Sequence, residues 1–389
     1  MQKIVTNVNV LYGDELEVKQ DYAVWIKDNK FYKVLPMDQI PNSLPVVDAG
    51  GSYLIPGLID LHVHIMWDGS MDPVATTEKE SYEQMIIRAV ATCQNYIQKG
   101  ITTVRDVGSI NDIALHVAKS IEQRLIKGPR LIASGKTLTM TGGHDPFWAR
   151  FCDGPIEVLK ATREQIYKNA QVIKVSATGG VYGRTEGESV GSVELNYDEL
   201  KVICDEAHKF GLKVAAHAIG REGILNALRA GIDTIEHGHF LDEELVKMME
   251  KRGTAWVPTL YVYQQIATIN GIPSYARQKA KEIVKIHQTA FKSFFYRSVL
   301  IGAGSDAGSP ATPHPSLIKE LLTMNKLVSN PKDVLKTATI NAGKIIGKKV
   351  GKVQEGYLAD FVLVEGNPLQ NLKSLYNVNR VFLGGNEVS

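Results

Sequence analysis

One short grammar recurs along the middle of this chain: an amphipathic helix, a glycine, then a brief apolar strand. The segment "NYDELKVICDEAHKFG" sets Leu200, Ile203, Cys204, Ala207 and Phe210 on one helical face. Asn196 is suited to the N-cap with Glu199 three residues on, and Gly211 to a left-handed C-terminal cap. "LKVAAH" follows as a strand. "REGILNALRAG" before "IDTIEH" repeats the plan, and so does "LDEELVKMMEKRG" before "TAWVPTL", with acids in its first turn and Lys251 and Arg252 in its last. Upstream, a helical stretch over Tyr82–Lys99 stops at Gly100 and yields to "ITTVRDV". Strands joined through helices pair in parallel, so the class is α/β.

Core strands are expected at Leu54–His64, Thr102–Asp106, Arg130–Ser134, Val172–Ser176, Leu212–His217, Ile232–His237, Thr254–Val257 and Val299–Ala303. Eight is the number that closes a (β/α)8 TIM-type barrel. An open doubly wound sheet is disfavoured, because the chain has no Gly-x-Gly-x-x-Gly phosphate loop. The two ends read differently. "VNVLYG", "YAVWIKDNKFYKVLP" and "VVDAGGSYLIPG" near the start, and "GKVQEGYLADFVLVEGNP" and "NRVFLGGNEV" near the finish, are short strands separated by turn residues. A chain of 389 residues exceeds one ordinary core. The expected organisation is a barrel over 56–350 inserted into a small β-sandwich built from residues 1–55 and 351–389.

The charge balance, 44 basic against 42 acidic side chains, carries no footprint for nucleic acid. Cys93, Cys152 and Cys204 have no zinc-ligand spacing and read as reduced and buried. The opening residues lack an apolar signal-peptide core, and no apolar run is long enough to span a bilayer. A cytoplasmic protein acting on a small molecule is expected. The sequence leaves room for a homo-oligomer.

The chemistry gathers at strand ends. In "LIPGLIDLHVHI", side chains two apart share a face, so His62 and His64 project together into the barrel. Alone, such a pair is as readily two hydrogen-bonded core histidines as half of a zinc site. His217 ends the fifth strand, His237 the sixth, and Asp306 follows the eighth in "LIGAGSDAG". Four histidines and an aspartate at one rim favour a metal, because burying so many polar groups without partners is costly. In "QVIKVSATGG", Val172, Lys174 and Ser176 face inward while Ile173 and Val175 face the helices. A desolvated lysine beside a dication becomes a neutral amine able to take up carbon dioxide as a carbamate, a two-oxygen metal bridge. Taken alone, Lys174 reads rather as a strand-end residue reaching solvent or an ion pair.

Together "GLIDLHVH", "IKVSATGG", "AAHA", "IEHG" and "GSDAG" resemble the amidohydrolase superfamily, in its binuclear branch with a carboxylated lysine. "TMTGGH" and the stretch from "DELKVICDEAHKFG" to "DTIEHG" resemble its Xaa-Pro dipeptidase (prolidase-like) and imidazolonepropionase-related group. The resemblance implies two divalent metal ions, zinc first among the candidates. It gives His62, His64 and Asp306 to the more buried ion and His217 and His237 to the more exposed one, with carboxylated Lys174 and a hydroxide as bridges. It further implies Asp306 as general base and then acid in hydrolysis of a C–N amide bond. The substrate so implied is a dipeptide, Xaa-Pro or Xaa-hydrophobic, or an N-acyl amino acid.

His144, ending "TMTGGH", is a candidate for holding the substrate carbonyl or carboxylate. Tyr182 and Arg184, in "TGGVYGRTEG", are candidate substrate contacts, with Arg184 as a carboxylate clamp. Tyr261 and Tyr263 are read equally as pocket walls or packing, and His239 and His314 as exposed loop residues. The alternatives are a cyclic-amide or imidazolone hydrolase or deaminase, a lactone or phosphotriester hydrolase, and a noncatalytic scaffold. The segment "HAIGR" lacks the glutamate that the resemblance would require of the mononuclear deaminase branch.

Overall fold

The computed structural model of the chain describes residues 2–41, 43–183 and 188–389. Seven parallel strands line a barrel: β1 (Leu58–Val63), β2 (Ile101–Asp106), β3 (Arg130–Ala133), β4 (Ile173–Ser176), β5 (Val214–Ala218), β6 (Thr234–His237) and β7 (Ala255–Val257). β1, β2 and β3 pair in order, and so do β4 through β7. Between β3 and β4 the Gln171 N–H donates to the Ala133 carbonyl at 2.9 Å, and a short strand, Thr137–Thr139, joins β4 through Leu138 and Val175.

The eighth position is irregular. The Gly302 N–H donates to Trp256 O at 2.9 Å on one side, and Leu61 N–H donates to Ala303 O at 3.0 Å on the other. The Ala303 N–H leaves the ladder for Thr337 O, so the regular strand expected at Val299–Ala303 is reduced to bridges at Ile301 and Ala307. The ring still closes, as the parallel reading requires.

Side-chain alternation follows the expected parity. Ile173 and Val175 pack outward into the large helix-facing core, while Val172 joins Ile132 and Ala215 in a separate small cluster. The helix Tyr197–Lys209 starts with a capping box: Asn196 Oδ1 accepts the Glu199 N–H at 3.1 Å and Glu199 Oε2 accepts the Asn196 N–H at 2.8 Å. The chain leaves that helix through Gly211 at φ +70°, a conformation that favours glycine.

Both chain ends build one eight-stranded sheet. The strand Tyr53–Pro56 pairs antiparallel with Phe361–Val364 and parallel with Gln2–Tyr12, so early and late segments share a ladder. Their common core includes Val10, Val24, Phe31, Leu54, Phe361 and Phe382, with the last two rings stacked at 4.3 Å. The run Leu54–His64, read from sequence as one strand, is divided at Gly57. Its first part belongs to this sheet and its second is β1. A Cβ on Gly57 would stand 2.1 Å from Thr102 Oγ1, so only glycine lets the chain pass from one sheet to the other here. The fold is thus a TIM-type barrel set into a β-sandwich made from both ends. Among the described residues, no helix is long and apolar enough to cross a membrane.

The capping box offers a stability test. Asn196→Ala is expected to cost about 1 kcal/mol in urea unfolding. Lys201→Ala, on the exposed face of the same helix, should stay within about 0.5 kcal/mol of the parent.

Candidate metal centre

Asp60, His62 and His64 lie on the inward side of β1 and its end, as period-two alternation requires. His217 closes β5. On β6 the parity would send Glu236 inward and His237 outward, yet both reach the interior. His237 takes φ +70°, a left-handed conformation that is costly for a side chain other than glycine, and this turns its ring back over the barrel mouth. Thr259 and Asp306 show the same strain, at φ +53° and +54°.

The result is convergence. His62 Nε2 and His64 Nε2 lie 3.9 and 3.5 Å from Asp306 Oδ1, and the candidate ligand atoms of these three residues all fall within 4.8 Å of one another. The His62 ring centre is 4.9 Å from that of His237, which is 4.6 Å from that of His217.

The outer nitrogens fix which atoms face this centre. His62 Nδ1–H donates to Glu236 Oε2 at 2.8 Å, His64 Nδ1–H to the Gly108 carbonyl at 3.1 Å, and His217 Nε2–H to the Gly179 carbonyl at 3.2 Å. These partners accept, so the other nitrogen of each ring is the one turned to the centre, where it offers a lone pair when the ring is neutral. His237 Nδ1 is paired with Thr259 Oγ1 at 2.7 Å. Imidazoles oriented from behind, with a carboxylate beside them, form a donor set that fits divalent metal ions.

Behind His62 stands a buried chain of charge. Arg105, from β2, donates to Glu236 Oε1 at 2.7 Å, to Leu61 O at 2.6 Å and to Thr234 Oγ1 at 3.2 Å. Burial alone would raise the Glu236 carboxyl, but Arg105 and His62 outweigh it and hold it at about 2. Burial first, then Lys174, brings His62 down to about 4. Sequence reading assigned Glu236 no role, although its parity and its place beside His237 were the available signal.

Lys174, 1% exposed on β4, is among the largest fully buried side chains. Burial pushes its amine below the usual lysine value, against the pull of Glu236, Asp145 and Asp306. Of its two sequence readings, the solvent-reaching one fails.

His144 comes to the same cavity, its ring 4.2 Å from that of His217. Nδ1 lies 2.7 Å from Glu188 Oε1 and Nε2 lies 3.2 Å from Asp145 Oδ1, while its backbone N–H donates to Glu194 at 2.8 Å. Burial opposes the charged form, but Asp145, Glu188 and Glu194 together raise His144 to about 9.

Tyr182 lines the cavity, but its hydroxyl donates to Asp72 and accepts from the Val74 N–H, which leaves mainly its ring for a ligand. Arg184 lies outside the described residues. Tyr263 lines the cavity, whereas Tyr261 lies off it with the Lys319 ammonium 5.5 Å over its ring.

Two expectations are corrected. His239 is fully buried, stacked on His287 at 3.8 Å and edge-on to Tyr263 at 4.2 Å. His314 is half-buried: its Nε2–H donates to the His64 carbonyl at 3.2 Å and Nδ1 accepts from Tyr96 at 2.7 Å. Helices distant in sequence pack against both positions, through Tyr263 and His287 on His239 and through Tyr96 on His314, a long-range effect that local polarity does not reveal.

Residues 53–388 match the amidohydrolase family. Ochratoxinase of Aspergillus niger is 29% identical over 366 residues, covering 85% of this chain and 75% of that relative. Its crystal structure aligns with TM-score 0.88 at 27% identity over 99% of this chain and 95% of that one. A crystal structure of a Xaa-Pro dipeptidase with bound methionine in the active site aligns with TM-score 0.91 at 28% identity, covering 100% of both chains. An imidazolonepropionase of Caldanaerobacter subterraneus is 22% identical over 430 residues, covering 98% of this chain and 94% of that relative.

Glu236→Gln tests the buried relay. It leaves Arg105 without its charge partner, so a loss of about 3–5 kcal/mol is expected in urea unfolding. Zinc affinity, read by chelator competition, should fall at least about 10-fold. Parent-like values in both measurements would remove Glu236 from any part in holding His62.

Proposed function

The chain belongs to the amidohydrolase family and is an enzyme that hydrolyses C–N bonds; from that premise we propose that its substrate is a dipeptide, Xaa-Pro or Xaa-hydrophobic, or an N-acyl amino acid. What carries this reading is the convergence of His62, His64 and Asp306 with the rings of His237 and His217 beside them and the outer nitrogen of each imidazole already paired, while buried Lys174 lies close enough to lower the pKa of His62, His217 and His237. The likeness to a Xaa-Pro dipeptidase, and to a prolidase complexed with N-methylphosphonate-L-proline, supports the substrate class.

In this reading the four histidines, Asp306 and Lys174 would hold two divalent ions, with zinc the first candidate for this donor set. Bound there, such ions polarise an amide carbonyl and make hydroxide available near neutral pH. Burial lowers the pKa of Lys174, and its unprotonated amine adds to carbon dioxide, forming the N–C bond and releasing one proton to solvent to leave a carbamate anion with two oxygens. That change places an anion where cations must sit.

Asp306 takes the proton from the attacking water and returns it to the departing nitrogen, which is otherwise a poor leaving group. Its carboxyl is held below the ordinary range: burial opposes this, but His62 and His64 beside it prevail. The Ser309 hydroxyl donates to Oδ1 at 2.8 Å and steadies it. His144, pinned by Glu188 and Asp145, binds the substrate carbonyl or carboxylate, and the Tyr182 ring bounds the site. Three unpaired, buried cysteines suit a reducing compartment and support a cytoplasmic location.

Metal-loaded protein should bind about two divalent ions and hydrolyse members of dipeptide and N-acyl amino acid libraries. A strong chelator should abolish turnover and added zinc restore it. Asp306→Asn is expected to lower kcat about 10²–10⁴-fold. Uniform inactivity on amides, with turnover of lactones or cyclic ureides, would overturn the proposal.

A further inference from the structure

We infer that Glu320 is a positioning residue for His237: by capping the helix that follows β7, it leaves the Thr259 hydroxyl free to orient that imidazole. The inference rests on the metal-dependent amidase reading above and adds a residue to it.

The start of a helix leaves backbone N–H groups without intrahelical partners, and a threonine at the N-cap ordinarily accepts one of them through its side chain. Thr259 stands at the N-cap of the helix Leu260–Thr268 and makes no such bond. Its backbone is left-handed, at φ +53°, where an N-cap residue is normally extended. Its hydroxyl oxygen lies instead 2.7 Å from His237 Nδ1. The residue is fully buried, so water does not take over the cap it has given up.

Glu320 takes it over. It sits in the first turn of the helix Leu317–Val328, and its carboxylate reaches across to the neighbouring helix start. Oε1 accepts the Leu260 N–H at 2.8 Å and Oε2 accepts the Tyr261 N–H at 2.6 Å. One side chain thus meets two orphaned donors from about sixty positions further along the chain. Glu320 is itself fully buried, where its charged form is costly, and these two N–H groups are what favour that form. Leucine or methionine would fill the same space. Only an acceptor with two oxygens satisfies both donors at once.

The consequence falls on the metal centre. With Leu260 and Tyr261 held by Glu320, Thr259 Oγ1 is left to accept from His237 Nδ1, and the ring turns Nε2 toward the ion. Tyr263, one turn into the same helix, meets the His237 ring edge-on at 5.5 Å, so the helix start that Glu320 fixes also sets a packing surface for that imidazole. Glu236 supports His62 by touching its ring, whereas Glu320 supports His237 through the backbone of another helix.

A double-mutant cycle on the intact protein tests the coupling, with zinc as the probe and chelator competition as the readout. Glu320→Gln keeps one acceptor oxygen and sets an amide N–H against the second donor. Thr259→Val removes the hydroxyl and keeps the β-branched shape. Each should weaken one of two bound zinc ions about 10-fold and leave the other near its parent affinity. The double variant should be no weaker than the worse single variant, because both changes act through one hydroxyl. Thr259→Ser should recover binding lost in Thr259→Val, and added zinc should restore amide turnover to Glu320→Gln. A merely structural Glu320 would lower urea stability and leave both zinc affinities unchanged. That result, or additive losses in the double variant, would overturn the inference and leave the amidase reading standing. If Glu320→Gln does not fold, the parent protein decides. Coupling is reciprocal, so zinc loading should slow amide hydrogen exchange at Leu260 and Tyr261 more than at Leu245, whose N–H is capped by its own Asp242. Equal slowing at the two helix starts would overturn the inference. Binding of fewer than two zinc ions by the parent would overturn the metal-centre reading and the inference with it.

Discussion

A guanidinium, a carboxylate and an imidazole run in series through the interior of this barrel, from Arg105 to Glu236 to His62, linking β2, β6 and β1. Taking such charges out of water is expensive, and the arrangement persists because its hydrogen-bonding demands are met locally. Arg105 also donates to Leu61 O and Thr234 Oγ1, and the Thr234 hydroxyl donates to Glu236. The chain of charge sets the direction in which His62 presents Nε2. Asp306 is joined to the same element, its N–H donating to the His62 carbonyl at 2.7 Å. One buried network thus supports both the ligand face and the carboxylate opposite it.

The rim above is strained where that network ends. His237, Thr259 and Asp306 all adopt left-handed backbone, and none is glycine. Each is tied down: His237 to Thr259 through its ring, Asp306 to Ser309 and the β1 backbone. Strain of this kind survives only where neighbours over-determine the conformation, and it gathers where side chains must be aimed. Here its effect is to let consecutive residues, Glu236 and His237, serve the same side of the barrel. The aromatic rings of Trp67, Trp148 and Tyr182 then close the remaining space, so the polar centre opens onto an apolar wall.

Much of this was legible along the chain, and for identifiable reasons. Helical periodicity, the capping box at Asn196 and the glycine after each helix are local signals with local causes. Two-residue alternation placed His62 with His64, and Lys174 with Val172, because a strand's geometry leaves no other choice. The same rule fell short at His237, where one left-handed residue inverted the parity. It also passed over Glu236, Asp145, Glu188 and Glu194, because acidic residues are common and their partners are far away in sequence. His239 and His314 looked like solvent-facing loop residues until long-range packing buried or half-buried them.

From residue order alone came the class of fold, a barrel of parallel strands set into a β-sandwich built from both ends, and the side chains at the strand ends. Those follow from periodicities and turn chemistry that act over a few residues. Which imidazole nitrogen faces the centre, where the chain divides at Gly57, and how Glu320 comes to cap the helix after β7 were decided only in three dimensions. These depend on partners dozens to hundreds of positions away, and nothing local to the chain encodes the distance between them.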